Sequence, residues 1–242
     1  MPDPGLSIKE NLRRIRERVT RAAVAAGRDP DEVTIVTVSK FAGADAVRAA
    51  YEAGCRDFGE NRIQECAEKI LSLRSDLPEA HWHMIGHLQS NKVKKALELF
   101  DFVQSVDSLK LAREINRRAA EAERRVDILV EVNSSGETQK HGLPTEEAPE
   151  LIDRLSELSW LNTRGLMTLG PHTEDEAAIR KSFSSTRELL DTLREGDSNG
   201  AASGELGLIL SMGMSGDFEI AIAEGSTMVR IGTAIFGPRS YT

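Results

Sequence analysis

Lys40 follows directly on the apolar, β-branched run 33–39. Such a run reads as a buried strand. A lysine at its end faces partly desolvated surroundings that favour the neutral amine, the nucleophile of Schiff-base formation with an aldehyde. The commoner fate of such a lysine is to snorkel to water, so a second signal is needed. Two glycine-rich stretches supply it, SMGMSGD at 211–217 and RIGT at 230–233. Gly213, Gly216 and Gly232 let the backbone turn sharply and approach a ligand closely. Ser211, Ser215 and Thr233 offer hydroxyls, and free N–H groups at helix starts favour an anion. Each stretch alone reads as an ordinary turn; together they read as a phosphate cradle.

An amine and a phosphate cradle share one class of ligand, a phosphate-bearing aldehyde. Pyridoxal 5′-phosphate is the economical candidate. Two histidines invite another chemistry. His81 and His83 flank Trp82 on one face of a strand and could chelate a metal, as in barrel hydrolases. Acidic partners beyond Glu60, Asp107 and Glu131 are not evident, so no metal is assigned. His141 and His172 read as solvated loop residues. Lys92, Lys94 and Lys95 read as a solvated helix face. Arg117, Arg118, Arg124 and Arg125, set among Glu114, Glu121 and Glu123, read as a mixed-charge helix surface.

These groups meet only if the fold brings strand ends together. Ser7 and Glu10 have capping-box spacing ahead of a helix with Leu12, Ile15, Val19, Ala22 and Ala23 at helical intervals, closed by Gly27. Pro2 and Pro4 precede it as a short tail. Strands are then expected at 33–39, 57–59, 82–85, 102–106, 127–132, 163–169, 206–211 and 228–231. Helices are expected at 45–53, 62–73, 91–100, 109–122, 146–158 and 217–223, and from the Thr173/Glu176 capping box to 194, with none after the last strand. Residues 195–204 (EGDSNGAASG) read as a loop. Sustained alternation implies a parallel sheet with right-handed crossovers. About eight units over this length favour a single (β/α)8 TIM barrel with an additional N-terminal helix over an open doubly wound sheet. No composition shift marks a second domain, so residues 1–242 read as one barrel domain. In a barrel, binding groups gather at the carboxyl ends of the strands. Lys40, Asn61 and both glycine stretches fall there.

Composition narrows the classes further. With 31 Lys+Arg against 39 Asp+Glu the net charge is −8, and aromatic residues make up 5%. Broad affinity for nucleic acid is not expected from an acidic chain poor in stacking groups. No apolar run is long enough to span a bilayer, and the first ten residues lack the apolar core of a secretory signal. Cys55 and Cys66 are too few for a disulfide framework and form no CxxC pair, which suits a reducing, cytoplasmic location.

Five motifs carry a resemblance. They are VSK (38–40), FGENRIQE (58–65), WHMIGHLQSNK (82–92), SMGMSGD (211–217) and GSTMVRIGTAIFG (225–237). In this order, and over residues 7–239, the chain resembles the YggS/PROSC family of pyridoxal phosphate homeostasis proteins, whose fold is similar to the barrel domain of alanine racemase. Phe41-Ala42-Gly43 departs from the family's polar or Pro-containing stretch. The resemblance implies that Lys40 is the Schiff-base lysine and that Asn61 lies beside the cofactor ring. It implies that Ser211, with backbone N–H groups near Met212, Gly232 and Thr233, holds the phosphate, and that Arg230 faces the pyridine nitrogen.

Arginine can only donate, so a ring nitrogen facing Arg230 stays unprotonated and the ring is a weak electron sink. The racemase also draws a tyrosine base from a second domain across a dimer; this chain has only Tyr51 and Tyr241 and no room for that domain. The expectation is a non-catalytic carrier that buffers pyridoxal phosphate or delivers it to the apo-enzymes that use it, and that works as a monomer without membrane or nucleic acid. The alternative is a racemase-like enzyme acting on a small amino acid.

Overall fold

The computed structural model describes residues 7–137, 139, 141–197 and 206–237. Helix α1 (Ile8–Ala25) comes first. Its capping box closes as spaced. The Ser7 hydroxyl accepts from the Glu10 N–H at 3.3 Å, and the Glu10 carboxylate accepts from the Ser7 N–H at 2.8 Å. Leu12, Ile15, Val19 and Ala23 form the buried stripe. Arg18 binds the Glu219 carboxylate at 3.0 and 2.9 Å, and Asn11 donates to the Ile235 carbonyl at 3.0 Å. The helix is thereby fastened across the end of the chain.

Eight parallel strands follow, each with a helix after it. They are β1 (Thr34–Val38), α2 (Ala44–Glu52), β2 (Asp57–Glu60), α3 (Ile63–Leu73), β3 (His81–Met84), α4 (Val93–Leu99), β4 (Phe102–Val106) and α5 (Leu109–Glu121). The second half runs β5 (Val126–Val132), α6 (Ala148–Ser156), β6 (Leu161–Thr168), α7 (Glu176–Asp197), β7 (Ile209–Ser211), α8 (Phe218–Ala223), β8 (Met228–Ile231) and α9 (Thr233–Phe236). Strands pair in chain order and β8 returns to β1, closing a TIM barrel.

Several expected boundaries move. β7 keeps only three of the six expected residues, because Leu206–Leu208 run outside the ladder. The expected helix at 91–100 opens as a tight turn, Ser90–Lys92, before α4. A helix does follow the last strand; α9 has only four residues, too few for periodicity to reveal. α7 continues to Asp197, and the remainder of the expected loop to 204 lies outside the described residues, as do Pro2, Pro4 and Tyr241.

Inside the barrel Val36, Phe102, Leu129, Met167 and Met228 form an apolar plug. A larger apolar core fills the space between strands and helices. Side chains alternate along a strand, so residues two beyond the plug point into the lumen above it. The register shifts beside β5 skip residues on β4 and β6, which leaves β5 regular. Glu131 therefore shares the inward face of Leu129, as Arg230 shares that of Met228.

Candidate functional site

Lys40 sits in a tight turn at the end of β1. The Ala42 N–H donates to the Ser39 carbonyl at 2.9 Å, and Lys40 and Phe41 occupy the bend. β1 ends at Val38, so Lys40 lies in the turn at the carboxyl end of the strand. Lys40 is half-buried, with its Nζ 5.4 Å from the centroid of the Phe41 ring. The turn is pinned from below. Lys69 on α3 donates to the carbonyls of Ser39 (2.6 Å) and Ala42 (3.1 Å) and pairs with Glu60 at 2.6 Å. The Ser39 hydroxyl also donates to Glu60, at 2.7 Å. All three Lys69 donors are thus matched, and the buried Glu60 carboxylate has both a cation and a hydroxyl.

Arg230 lies across the lumen and is almost fully buried. Its NH1 donates to the Ser211 carbonyl at 2.6 Å and to the Ser211 hydroxyl at 2.7 Å, and its NH2 donates to the Thr168 carbonyl at 2.7 Å. Burial lowers its pKa to about 10, against the opposing pull of Glu131 and Asp217, so it remains a cation at neutral pH. The Ser211 hydroxyl continues to Gln104 (2.7 Å), Gln104 to His83 (2.9 Å) and His83 to Asp57 (2.9 Å). Glu131 also enters this lumen. Its carboxyl is 3% exposed and makes no hydrogen bond to the described residues. Burial, with the Asp107 charge added and Arg230 opposing, pushes its pKa up to about 7.

The two glycine-rich loops meet each other and the end of β1. Gly232 abuts β1 so closely that a Cβ there would lie 3.0 Å from the Val38 carbonyl. Gly213 has φ +95°, and a Cβ there would sit 2.6 Å from the Ala221 Cβ, so no other residue fits this turn. The Arg230 N–H bonds the Gly213 carbonyl at 2.9 Å, and the Met214 N–H bonds Asp217 at 2.5 Å. The Ser226 hydroxyl lies within 3.1 Å of three carbonyls, those of Leu210, Met212 and Met228, and ties the two strands together. Gly232 caps α9; the N–H groups of Thr233 and Ala234 have no partners within the helix, whereas the Ile235 N–H bonds the Gly232 carbonyl at 2.9 Å. The Ala234 N–H reaches only the Ser215 hydroxyl, at 3.4 Å.

The sequence-predicted residues divide accordingly. Lys40 lies two residues beyond Val38, which Gly232 abuts, and Thr233 follows Gly232 as the first residue of α9. Asn61 follows β2, half-buried, in a cavity of about 390 Å³ shared with Gly86, His87, Lys92 and His141. Gly86 is in close approach here, since a Cβ would lie 2.3 Å from the Asn61 carbonyl. Ser211 and Met212 are fully buried at the end of β7. The Ser211 hydroxyl is committed to Arg230 and Gln104, while the Met212 N–H bonds the Met228 carbonyl at 3.0 Å and its side chain packs in the outer core. Ser215, whose hydroxyl the sequence also offered, is the loop serine that faces α9. Glu131, Gln104 and Lys69 were missed. Alternation from the clear fifth strand would have turned Glu131 inward; nothing in the sequence pairs Lys69 with Ser39.

His81 and His83 do not form a metal pair. Both point to Asp57 at the amino end of the strands, and both ring nitrogens of His83 are hydrogen-bonded. His141 is not simply solvated either, because its ring stacks on His87 with centroids 4.2 Å apart. Arg117 and Arg118 pair with Glu114 and Glu121 as a mixed-charge surface predicts. A hollow of about 760 Å³ runs along α1 by Ala53, where charges such as Arg13 and Glu17 already pair. It lies away from the strand ends that carry the chemistry.

The model of the alanine racemase N-terminal domain family matches residues 7–240. A pyridoxal phosphate homeostasis protein of Pseudomonas aeruginosa is 44% identical over 236 residues, 97% of each chain. The structure of PipY of Synechococcus elongatus with PLP bound is 38% identical, with TM-score 0.78, covering 91% of this chain and 100% of that one. An alanine racemase of Clostridium difficile is 17% identical with TM-score 0.69; 97% of this chain covers 57% of the racemase, a likeness of fold alone.

Proposed function

Because the chain belongs to the alanine racemase N-terminal domain family, and within it to the pyridoxal phosphate homeostasis proteins, we propose that it binds pyridoxal 5′-phosphate and serves in its homeostasis. Lys40 is the point of covalent attachment, as a Schiff base. The loops at 213–216 and 232–234 take the phosphate, with Thr233 and Ser215 as hydroxyls. One observation carries this reading: Gly232 packs against Val38, so the loop that starts α9 lies beside the strand that ends in Lys40.

The remaining lumen also suits this ligand. The Glu131 carboxyl has no protein partner, and the Nε–H of Arg230 has no acceptor among the described residues. These atoms are not sealed from the lumen, where a polar ligand can meet them. When bound, the cofactor supplies an aldehyde that captures amines and a ring that accepts electrons. Arg230 can give that ring only a hydrogen bond, never a proton. Tyr51 cannot serve as a base at the mouth. Its hydroxyl accepts from the Glu79 N–H at 3.4 Å, and its ring carries the Arg56 guanidinium at 4.2 Å. We therefore read the protein as a carrier that buffers or delivers the cofactor to apo-enzymes, acting as a monomer.

Cys55 and Cys66 are both free and buried, and burial pushes the Cys66 thiol up to about 12. Inert thiols suit the cytoplasm. No helix among the described residues is long and apolar enough to cross a membrane.

A visible absorption spectrum tests the binding. Protein mixed with the cofactor should turn yellow with one equivalent bound per chain. Protein that stays colourless would refute the reading. One observation favours a second reading, a racemase-like enzyme: Glu131 holds a proton near neutrality inside the site. Exchange of solvent deuterium at Cα of amino acids separates the two. The carrier reading predicts negligible exchange, and fast exchange on one amino acid would establish an enzyme.

A further inference from the structure

We propose that His87, Asp107 and His141 form a binding site for a transition-metal ion of the zinc class at the rim of the barrel. They follow three successive strands, β3, β4 and β5, and their ligand atoms all lie within 4.8 Å of one another. Two imidazoles and one carboxylate are a donor set for first-row divalent metals, with at least one coordination position left for water.

The contrast with the other histidines supports the assignment. His83 spends both ring nitrogens on Asp57 and Gln104 and has no lone pair to give. His87 and His141 make no ring-nitrogen hydrogen bond within 3.5 Å to the described residues. The His87 Nδ1 faces the Asp107 carboxylate at 3.5 Å, too long for a hydrogen bond and close to the donor spacing around a tetrahedral ion, about 3.4 Å for bonds of about 2.1 Å. The two rings stack with centroids 4.2 Å apart and planes 12° apart. His87 and His141 are exposed side chains, free to swing their nitrogens together by the ångström or so that a shared ion requires.

The site would act on the neighbouring cavity. His87 and His141 line it with Asn61 and Lys92. An ion shared by the three would fasten the loop after β5 to the ends of β3 and β4 and so narrow that side of the mouth. The proposal does not depend on the cofactor reading, because neither Lys40 nor the glycine loops contribute a ligand.

The test is titration of the full chain, loaded and freed of cofactor, with zinc chloride by calorimetry and with cobalt(II) by absorption. One ion per chain should bind, with proton release on approach to pH 6. His87→Ala and His141→Ala should each weaken binding about tenfold or more, and His81→Ala should leave it unchanged. All three positions are exposed, and unaltered melting temperatures would show that the variants are folded. Absence of stoichiometric binding, or binding undiminished in both His87→Ala and His141→Ala, would overturn the proposal.

Discussion

Arg230 and the Ser211 hydroxyl share a hydrogen bond of 2.7 Å in which the guanidinium must be the donor. The direction of every bond beyond it follows. The Ser211 proton points to the Gln104 carbonyl oxygen, so the Gln104 amide donates to Nδ1 of His83, and the Nε2–H of His83 donates to Asp57. A single buried cation thus orders a chain that runs from the mouth to the floor of the barrel, with neutral His83 in one tautomer.

Breaking that chain should cost stability more than a lone serine suggests. Ser211→Ala leaves buried donors and acceptors on Arg230 and Gln104 unmatched, at about 1–3 kcal/mol. Urea unfolding checks this. A midpoint equal to wild type would mean that the chain does not hold Arg230.

Glu131 makes stability depend on pH. Its pKa rises from 4.5 when unfolded to about 7 when folded. A raised folded pKa gives a contribution that is fully present below pH 4.5 and lost as pH rises through 7. Relative to Glu131→Gln, the cofactor-free wild type should lose about 3 kcal/mol over that window. Parallel stability curves for the two proteins would show that Glu131 does not titrate there.

Lys69→Met should act twice. It strands the Glu60 carboxylate, which is 1% exposed, at about 3–5 kcal/mol. It also frees the turn that carries Lys40, so covalent loading should slow. Adding Glu60→Gln should restore much of the stability and little of the loading rate. Loading restored in step with stability would show that Lys69 only supports the fold.

Thr233→Asp separates cofactor retention from folding. An acidic residue at the first position of α9 complements the helix dipole and spares the fold. It also sets a charge against the bound phosphate. Equilibrium dialysis should show weaker retention with an unchanged melting temperature. Unaltered retention would remove Thr233 from the cradle.

The barrel was legible because its strongest signals are local. The runs ending in Lys40 and Val132 are apolar and β-branched, and the Ser7/Glu10 and glycine signals mark helix ends. The weak strand at 57–59 was found, but its Glu60 faces Lys69 across the outer shell, a partnership set by how α3 packs and by nothing in the spacing. Lys40 and Gly232 could be placed at strand ends because each follows an apolar run. The partnerships of Ser211 with Arg230 and Gln104 were not legible, since a motif fixes order along the chain and not neighbours in space. The stacking of His141 on His87 joins loops separated by two helix–strand units, which periodicity cannot see.

The central claim is that the amine of Lys40 captures the cofactor. Protein loaded with pyridoxal 5′-phosphate, reduced with borohydride and digested, should carry its pyridoxyl group on the peptide containing Lys40, and Lys40→Ala should fold normally and carry none. A label on Lys69, Lys92 or another lysine, or labelling that survives Lys40→Ala, would contradict the account.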